Sequence, residues 1–516
     1  MALVPLAYLI ARVAGAGPDA WLAAVTRPRV GTLAATSMLL ALVVAIGCLA
    51  LGVGSAYLVT RTDLPGRRLW AVVAALPLAV PSYVAAFSWS AVADLWSSTA
   101  RFEGFWAAAL VLTLYTAPYV YLPVAAALAA TDAGQEEVSR SLGRGPWQTL
   151  MTVTLPQVRP AIAAGGLLAV LYALSDFGAV SLLRVDTFTR AIFTALGSGF
   201  DRIGALSLAS MLVLLTLLIL AIEHSTRRRG ARYARTGSGV RRSAPMHQLG
   251  KYGRWVAYAT MMGTALVALG VPAVAMARWS ARGLSQPGSV REVLSAASGS
   301  IGLALAGALV TTALAIPVGL YAARHPGRLA RALEHAAYLA HGLPGVVVGL
   351  SLVFLGVAVL LPLYQSVWLL AVGYATLFLP LALAAVAGAA AKAPPGLEEV
   401  SHSLGEGPGR TWARVTLPLT LPGVRAGAAL VFLACMKELP ATLLLRPTGM
   451  ETLATRLWSA TEVQRYAEAA PYAVLLVLVA ALPTWLLTVR SGIRGAGVSS
   501  EKPHPQVAPE SVRVEP

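Results

Sequence analysis

Apolar stretches of bilayer length alternate with short polar turns along the chain. Charge-free runs occupy 36–60, 69–93, 104–131, 203–222, 255–277, 293–323 and 469–489. A spanning helix needs about 20 residues at a rise of about 1.5 Å each, so every one of these runs can cross a membrane. The stretch 336–391 holds no charged residue, taking His341 as neutral, and is too long for one helix; it divides near Leu361-Pro362-Leu363-Tyr364-Gln365 into two. Runs 160–183 and 427–445 are interrupted by Asp176 and by Lys437-Glu438 and count as spans as well. The pattern predicts eleven spans in an all-α polytopic membrane protein, since only helices or closed barrels satisfy their backbone in lipid. Composition agrees: of 516 residues 57% are hydrophobic and 12% charged, against about 25% charged in soluble domains.

The same pattern repeats. EEVSRSLGRGPWQTLMTVTLP at 136–156 returns as EEVSHSLGEGPGRTWARVTLP at 398–418, fourteen of 21 residues identical without a gap. The offset of 262 also carries Pro160 onto Pro422, Asp176 onto Glu438 and Arg184 onto Arg446. The chain therefore reads as two copies of one six-helix unit, 1–223 and 255–490, joined by a basic linker at 224–254. Six spans separate the two hairpins, so both emerge on one face and the repeats are parallel. VPAVAMARW at 271–279 is preceded by sixteen apolar-rich residues, whereas VPLAYLIAR at 4–12 has three before it, so the first helix of repeat one is expected to be truncated or degenerate, or its start to lie upstream. Residues 1–15 lack a basic leading region and a small-residue cleavage pattern, against a signal peptide. The polar, Pro-containing end at 491–516 reads as a disordered cytoplasmic tail.

Charge fixes the orientation. The net charge is +17, and Arg227, Arg228, Arg229, Arg232, Arg235, Arg241, Arg242, Lys251 and Arg254 gather between two spans. That placement fits the cytoplasmic excess of Lys and Arg in membrane proteins and argues against nucleic acid as a partner. The turns 61–68 and 324–328 and both hairpins then fall inside as well. Cys48 and Cys435 lie in apolar runs, with neither metal-ligand spacing nor a disulfide framework.

Each hairpin has the local chemistry of a helix, a break and a new helix. Gly143 and Gly405 offer the left-handed conformation that ends a helix, and Pro146 suits the first turn of the next. Leu155-Pro156 then leads into a span, so motion of the hairpin would pass to a transmembrane helix. Glu-Glu-Val-Ser, a Gly seven residues after the first Glu, and a closing Leu-Pro resemble the coupling loop, or EAA loop, of binding-protein-dependent ABC importer permeases, with Val in place of the commoner Ala. The resemblance implies that Glu136, Glu137 and Gly143, and Glu398, Glu399 and Gly405, dock onto a separate ATPase. It also implies two ATPase copies, a solute-binding protein outside, and residence in the bacterial cytoplasmic (inner) membrane. The chain has no GxxxxGK[ST] motif, so ATP and Mg belong to the partner and this chain binds no cofactor and is not an enzyme.

Ser175-Asp176-Phe177-Gly178-Ala179-Val180-Ser181-Leu182-Leu183-Arg184 and Lys437-Glu438-Leu439-Pro440-Ala441-Thr442-Leu443-Leu444-Leu445-Arg446-Pro447 resemble the corresponding segments of ferric-iron importer permeases, which also fuse two halves in one chain. Ionisable groups within spans are costly and make functional candidates, so Asp176 and Glu438, with Tyr115 and Tyr119, are candidates for the translocation path. Carboxylates suit a hard cation. The competing reading has Asp176 capping a discontinuous helix or pairing with Arg184, and Glu438 neutralising Lys437. Tyr83, Tyr115, Tyr119 and Tyr121 could all supply phenolate oxygen near the path but fit interfacial or packing roles better, and His335 and His341 fit helix packing, since neither histidine has a partner at metal-site spacing. The resulting expectation is an ATP-driven importer permease moving ferric iron by alternating access. Alternatives are a thiamine or phosphonate importer of the same class and a gradient-driven secondary transporter, which leaves the paired hairpins without a purpose.

Overall fold

The computed structural model describes residues 3–96, 101–131, 133–197, 201–230, 246–283, 289–325 and 327–490; most of the expected linker and the expected tail at 491–516 lie outside them. Among the described residues, eight helices are long and apolar enough to cross a membrane: Pro28–Arg61, Phe105–Ala130, Pro146–Ser175, Arg202–Ile222, Lys251–Arg282, Val290–Arg324, Val367–Ala391 and Pro408–Lys437. The helix Tyr466–Arg490 closes the second repeat.

Where the apolar pattern predicted simple spans, the backbone bends. Run 69–93 is a pair, Arg67–Ala79 and Ser82–Asp94, bent by 93° at Val80-Pro81. Its counterpart in the second repeat is Arg328–His341 followed by Gly345–Ala358, parted by Gly342-Leu343-Pro344. Proline disfavours a helical residue before it and lacks the N–H of the ladder, so both corners fall at a proline. The expected break at 361–365 is present as well, as a tight turn Leu361–Leu363 before the helix Val367–Lys392.

The runs 160–183 and 427–445 differ from the expectation in both directions. Each helix begins far earlier, at Pro146 or Pro408, and stops at Ser175 or Lys437. A short helix follows, Gly178–Leu182 in one repeat and Pro440–Leu445 in the other. The second leg of each hairpin is thus one continuous 30-residue rod with the helix that enters the bundle. At about 1.5 Å per residue such a rod is about 45 Å long.

Small residues set the closeness of packing, as expected where lipid supplies no hydrophobic drive between helices. A Cβ at Gly165 would lie 2.8 Å from Val120 Cα, and one at the equivalent Gly427 2.8 Å from Ala385 Cβ. The first helices cross over between repeats. Tyr8, on the helix Val4–Ala16, donates its hydroxyl to the Phe354 carbonyl at 3.1 Å, and Trp279 Nε1 donates to the Ala91 carbonyl at 3.1 Å. Each repeat therefore braces the bent pair of the other.

Candidate functional site

The two hairpins have one architecture. Ala133–Ser141 and Pro395–Ser403 form the first legs, and Pro146–Thr149 and Pro408–Thr411 start the second. Gly143 and Gly405 take φ of +80° and +84°, the left-handed values their positions require. Their N–H groups donate to the Arg140 and His402 carbonyls at 2.9 and 3.0 Å, closing each first leg. Between the legs the buried hydroxyls of Ser139 and Thr149 lie 3.1 Å apart, and those of Ser401 and Thr411 2.9 Å apart. One π-helical turn, Leu150–Thr154 or Trp412–Thr416, then joins the hairpin to the rod. Such single turns concentrate at functional positions.

The two glutamates of each Glu-Glu pair part company. Glu136 is buried, its Oε1 3.2 Å from Arg61 Nη2 and accepting from Thr154 Oγ1 at 2.8 Å. Arg61 ends the long helix Pro28–Arg61 and also bonds the Thr131 hydroxyl. The second repeat repeats the pin: Glu398 Oε1 lies 2.7 Å from Arg324 Nη2 and accepts from Thr416 Oγ1 at 2.9 Å. Glu137 and Glu399 are exposed instead. Beside them stand Val138 and Leu142, and in the second copy Val400 and Leu404; Leu142 is 73% and Leu404 78% exposed. Each hairpin is thus a braced knob with an apolar and acidic outer face. The arginine pins were invisible as a motif, because each partner is more than seventy residues away; their recurrence in the turns 61–68 and 324–328 was the available signal.

A third strand of contacts ties the linker to the first knob. His247 N donates to the Arg61 carbonyl at 2.7 Å, and Asp63 N to the His247 carbonyl at 3.2 Å. Asp63 accepts from Leu249 N at 2.8 Å and pairs with Arg254 at 2.5 Å. The Leu249 N–H and then the Arg254 guanidinium hold the Asp63 carboxyl below the ordinary carboxylate range. The residue that pins Glu136 is therefore also the one on which the linker is fastened.

At the far ends of the rods stand Asp176 and Glu438, both buried. Asp176 Oδ1 accepts from Ala179 N at 2.9 Å and Val180 N at 3.2 Å, and Oδ2 accepts from the Ser82 hydroxyl. Glu438 Oε1 accepts from Ala441 N at 2.9 Å, and Oε2 from Thr442 N at 2.9 Å and its hydroxyl at 2.8 Å. Both carboxylates thus satisfy the first N–H groups of the short helix that follows, the orphan donors of any helix start. Arg184 pairs with Glu103, at 3.5 Å, and Lys437 Nζ donates to the Leu78 carbonyl at 3.2 Å.

The candidate tyrosines divide. Tyr115 is buried in the helix Phe105–Thr116, and Tyr121 is buried with its hydroxyl donating to the Ala71 carbonyl at 3.1 Å. Tyr119 is half-buried, its ring 5.4 Å from that of Tyr172, near the Asp176 end of the rod. Tyr83 is buried and donates to the Lys437 carbonyl at 3.3 Å. His335 is exposed on the helix Arg328–His341 rather than packed between helices, and the side chain of His341 lies outside the described ones.

With this geometry, a doubled sequence match decides the family. Residues 48–229 and again 315–492 match the family described as binding-protein-dependent transport system inner membrane component, together more than half of the chain. The chain belongs to this family. It is 36% identical over 486 residues to the Fe(3+)-transport system permease protein FbpB 2 of Haemophilus influenzae, covering 94% of this chain and 95% of the relative. It is 29% identical over 237 residues to the sulfate transport system permease protein CysT of Escherichia coli, covering 42% of this chain and 84% of that one. To the molybdenum transport system permease protein ModB of Mycobacterium tuberculosis it is 31% identical over 258 residues, 46% of this chain and 94% of the relative. The chain is a multi-pass membrane permease built of two such repeats.

Proposed function

We propose that this permease carries ferric iron into the cytoplasm as the membrane subunit of an ATP-driven importer. The observation that carries the reading is the pair of identical braced knobs, each one rod with a helix that ends at a break in the bundle. Two copies of an ABC ATPase close on the knobs; ATP and Mg stay on that partner, and a solute-binding protein delivers the cargo to the opposite face. Glu137 and Glu399, with Leu142 and Leu404, form the exposed docking face, while Glu136 and Glu398 hold each knob's shape. Gly143 and Gly405 set the angle between the legs.

Closure of the ATPases moves the knobs, and the rods carry that motion to Asp176 and to Lys437-Glu438, where the repeats meet. The permease then contributes differential stability between two states that nucleotide and cargo bias, and forms no covalent intermediate. Ferric iron is favoured over other cargo because similarity to the ferric permease spans almost the whole chain, whereas each match to the sulfate and molybdenum permeases covers less than half.

Uptake of radiolabelled ferric iron by a deletion strain, with and without this chain restored and with labelled thiamine as control, tests the reading. Iron uptake returns with the chain and persists when the proton gradient is collapsed while ATP is maintained. Thiamine uptake returning in place of iron, or loss of uptake with the gradient, contradicts it.

A further inference from the structure

The two rods both end at a capping carboxylate, but the residue before it differs in charge. The residue before the capping carboxylate is Ser175 in the first repeat and Lys437 in the second. Ser175 turns back on its own helix, its hydroxyl donating to the Leu171 carbonyl at 2.6 Å. Lys437 reaches out of its repeat, and Nζ donates to the Leu78 carbonyl at 3.2 Å. Tyr83 returns the contact, donating to the Lys437 carbonyl at 3.3 Å. Leu78 and Tyr83 flank the 93° corner of the first repeat. The ammonium therefore stands at the seam between repeats, where broken helices from both halves meet.

The acids beside it are already committed. Every carboxylate oxygen of Asp176 and Glu438 accepts at least one hydrogen bond from a cap or a hydroxyl. Among the described residues no group of three or more His, Cys, Asp or Glu could hold a metal ion. An ammonium has three donors, and the Leu78 carbonyl takes one. In a low-dielectric seam such a group repels a bare cation strongly and attracts anionic oxygen just as strongly.

We propose that Lys437 is a specificity-determining residue of the seam, one that bars bare cations and admits the metal only as a complex bearing its own anionic oxygen. The identity of the metal rests on the ferric-iron reading above; the sign of charge that the seam accepts does not. With the repeats together, the bond to Leu78 latches the seam. As they part, that bond breaks and the ammonium turns to the anionic oxygen of the cargo.

The test uses the full chain assembled with its ATPase and binding protein in liposomes. Radiolabelled ferric iron is supplied with radiolabelled phosphate, carbonate or citrate, to wild type, Lys437→Arg and Lys437→Met. The labelled anion that serves enters with the iron in a fixed ratio. Lys437→Arg keeps most of the uptake, whereas Lys437→Met loses on the order of tenfold while its assembled complex still hydrolyses ATP. Iron entering without any labelled anion, with Lys437→Met at or above wild type, overturns the proposal. Entry of a labelled anion without iron, still dependent on Lys437, overturns the iron reading and leaves the role of Lys437 standing.

Discussion

At the scale of residues, the adjacent glutamates of each hairpin do different work. Glu136 and Arg61 are both 5% exposed at the side chain, so neither charge can be removed alone without leaving the other buried and unpaired. Breaking a buried pair from one side costs about 3–5 kcal/mol. Arg61→Met should therefore lower the melting temperature of the detergent-purified chain markedly. Arg324→Met should lower it less, because Arg324 and Glu398 are 18% and 24% exposed and water screens the survivor. Equal shifts, or a larger one for Arg324→Met, would contradict this ranking. Asp176 makes a second case. As a cap it needs an acceptor oxygen, which Asn retains and Ala does not, at a cost of about 1 kcal/mol for the loss. Uptake should thus survive better in Asp176→Asn than in Asp176→Ala; equal losses would mean that the charge itself is required. The sequence displayed these acids but not their partners. Ser82 lies 94 residues from Asp176 and Arg61 75 from Glu136, and no local pattern records such pairings.

At the scale of elements, the hairpin was legible because its signals are local: a glycine that must be left-handed, a proline that starts a helix, and a second copy. The bends were not. Apolar character continues through Val80-Pro81 and Gly342-Leu343-Pro344, so hydropathy alone counts a bent pair as a span and only the prolines mark the corner. The linker clasp is likewise a tertiary contact between segments far apart in sequence, and it yields a pH prediction. Because folding depresses the Asp63 carboxyl, its contribution is fully present above the ordinary carboxylate value of about 3.9 and fades as pH falls through and below that value. Asp63→Asn should therefore reduce the protection of the His247 and Leu249 amides from hydrogen exchange at neutral pH. Wild type should match it only in acid. Unchanged protection in Asp63→Asn would show that Arg61 and His247 hold the linker without the carboxylate.

At the scale of the whole molecule, two repeats cross their first helices and brace each other's bent pairs, so a shift in one half is felt by the other. The knobs lie at one end of the rods and the seam residues at the other, so under the proposed function the rods are the mechanical link between nucleotide chemistry and cargo. The repeat and its parity were readable from the sequence because identity survives at a constant offset; the crossing was not, since nothing local distinguishes a helix that packs on its own repeat from one that packs on its neighbour. The account stands on coupling through the knobs. Its most direct test is ATP-dependent uptake of radiolabelled ferric iron by liposomes holding the chain with its ATPase and binding protein, compared with a Leu142→Glu, Leu404→Glu double variant. Both leucines are exposed and brace nothing, so the variant inserts and folds normally. Uptake that requires ATP in wild type and falls at least about tenfold in the double variant is the expected result, a charge having been forced into an apolar docking face. Undiminished uptake by the double variant would contradict coupling through these knobs.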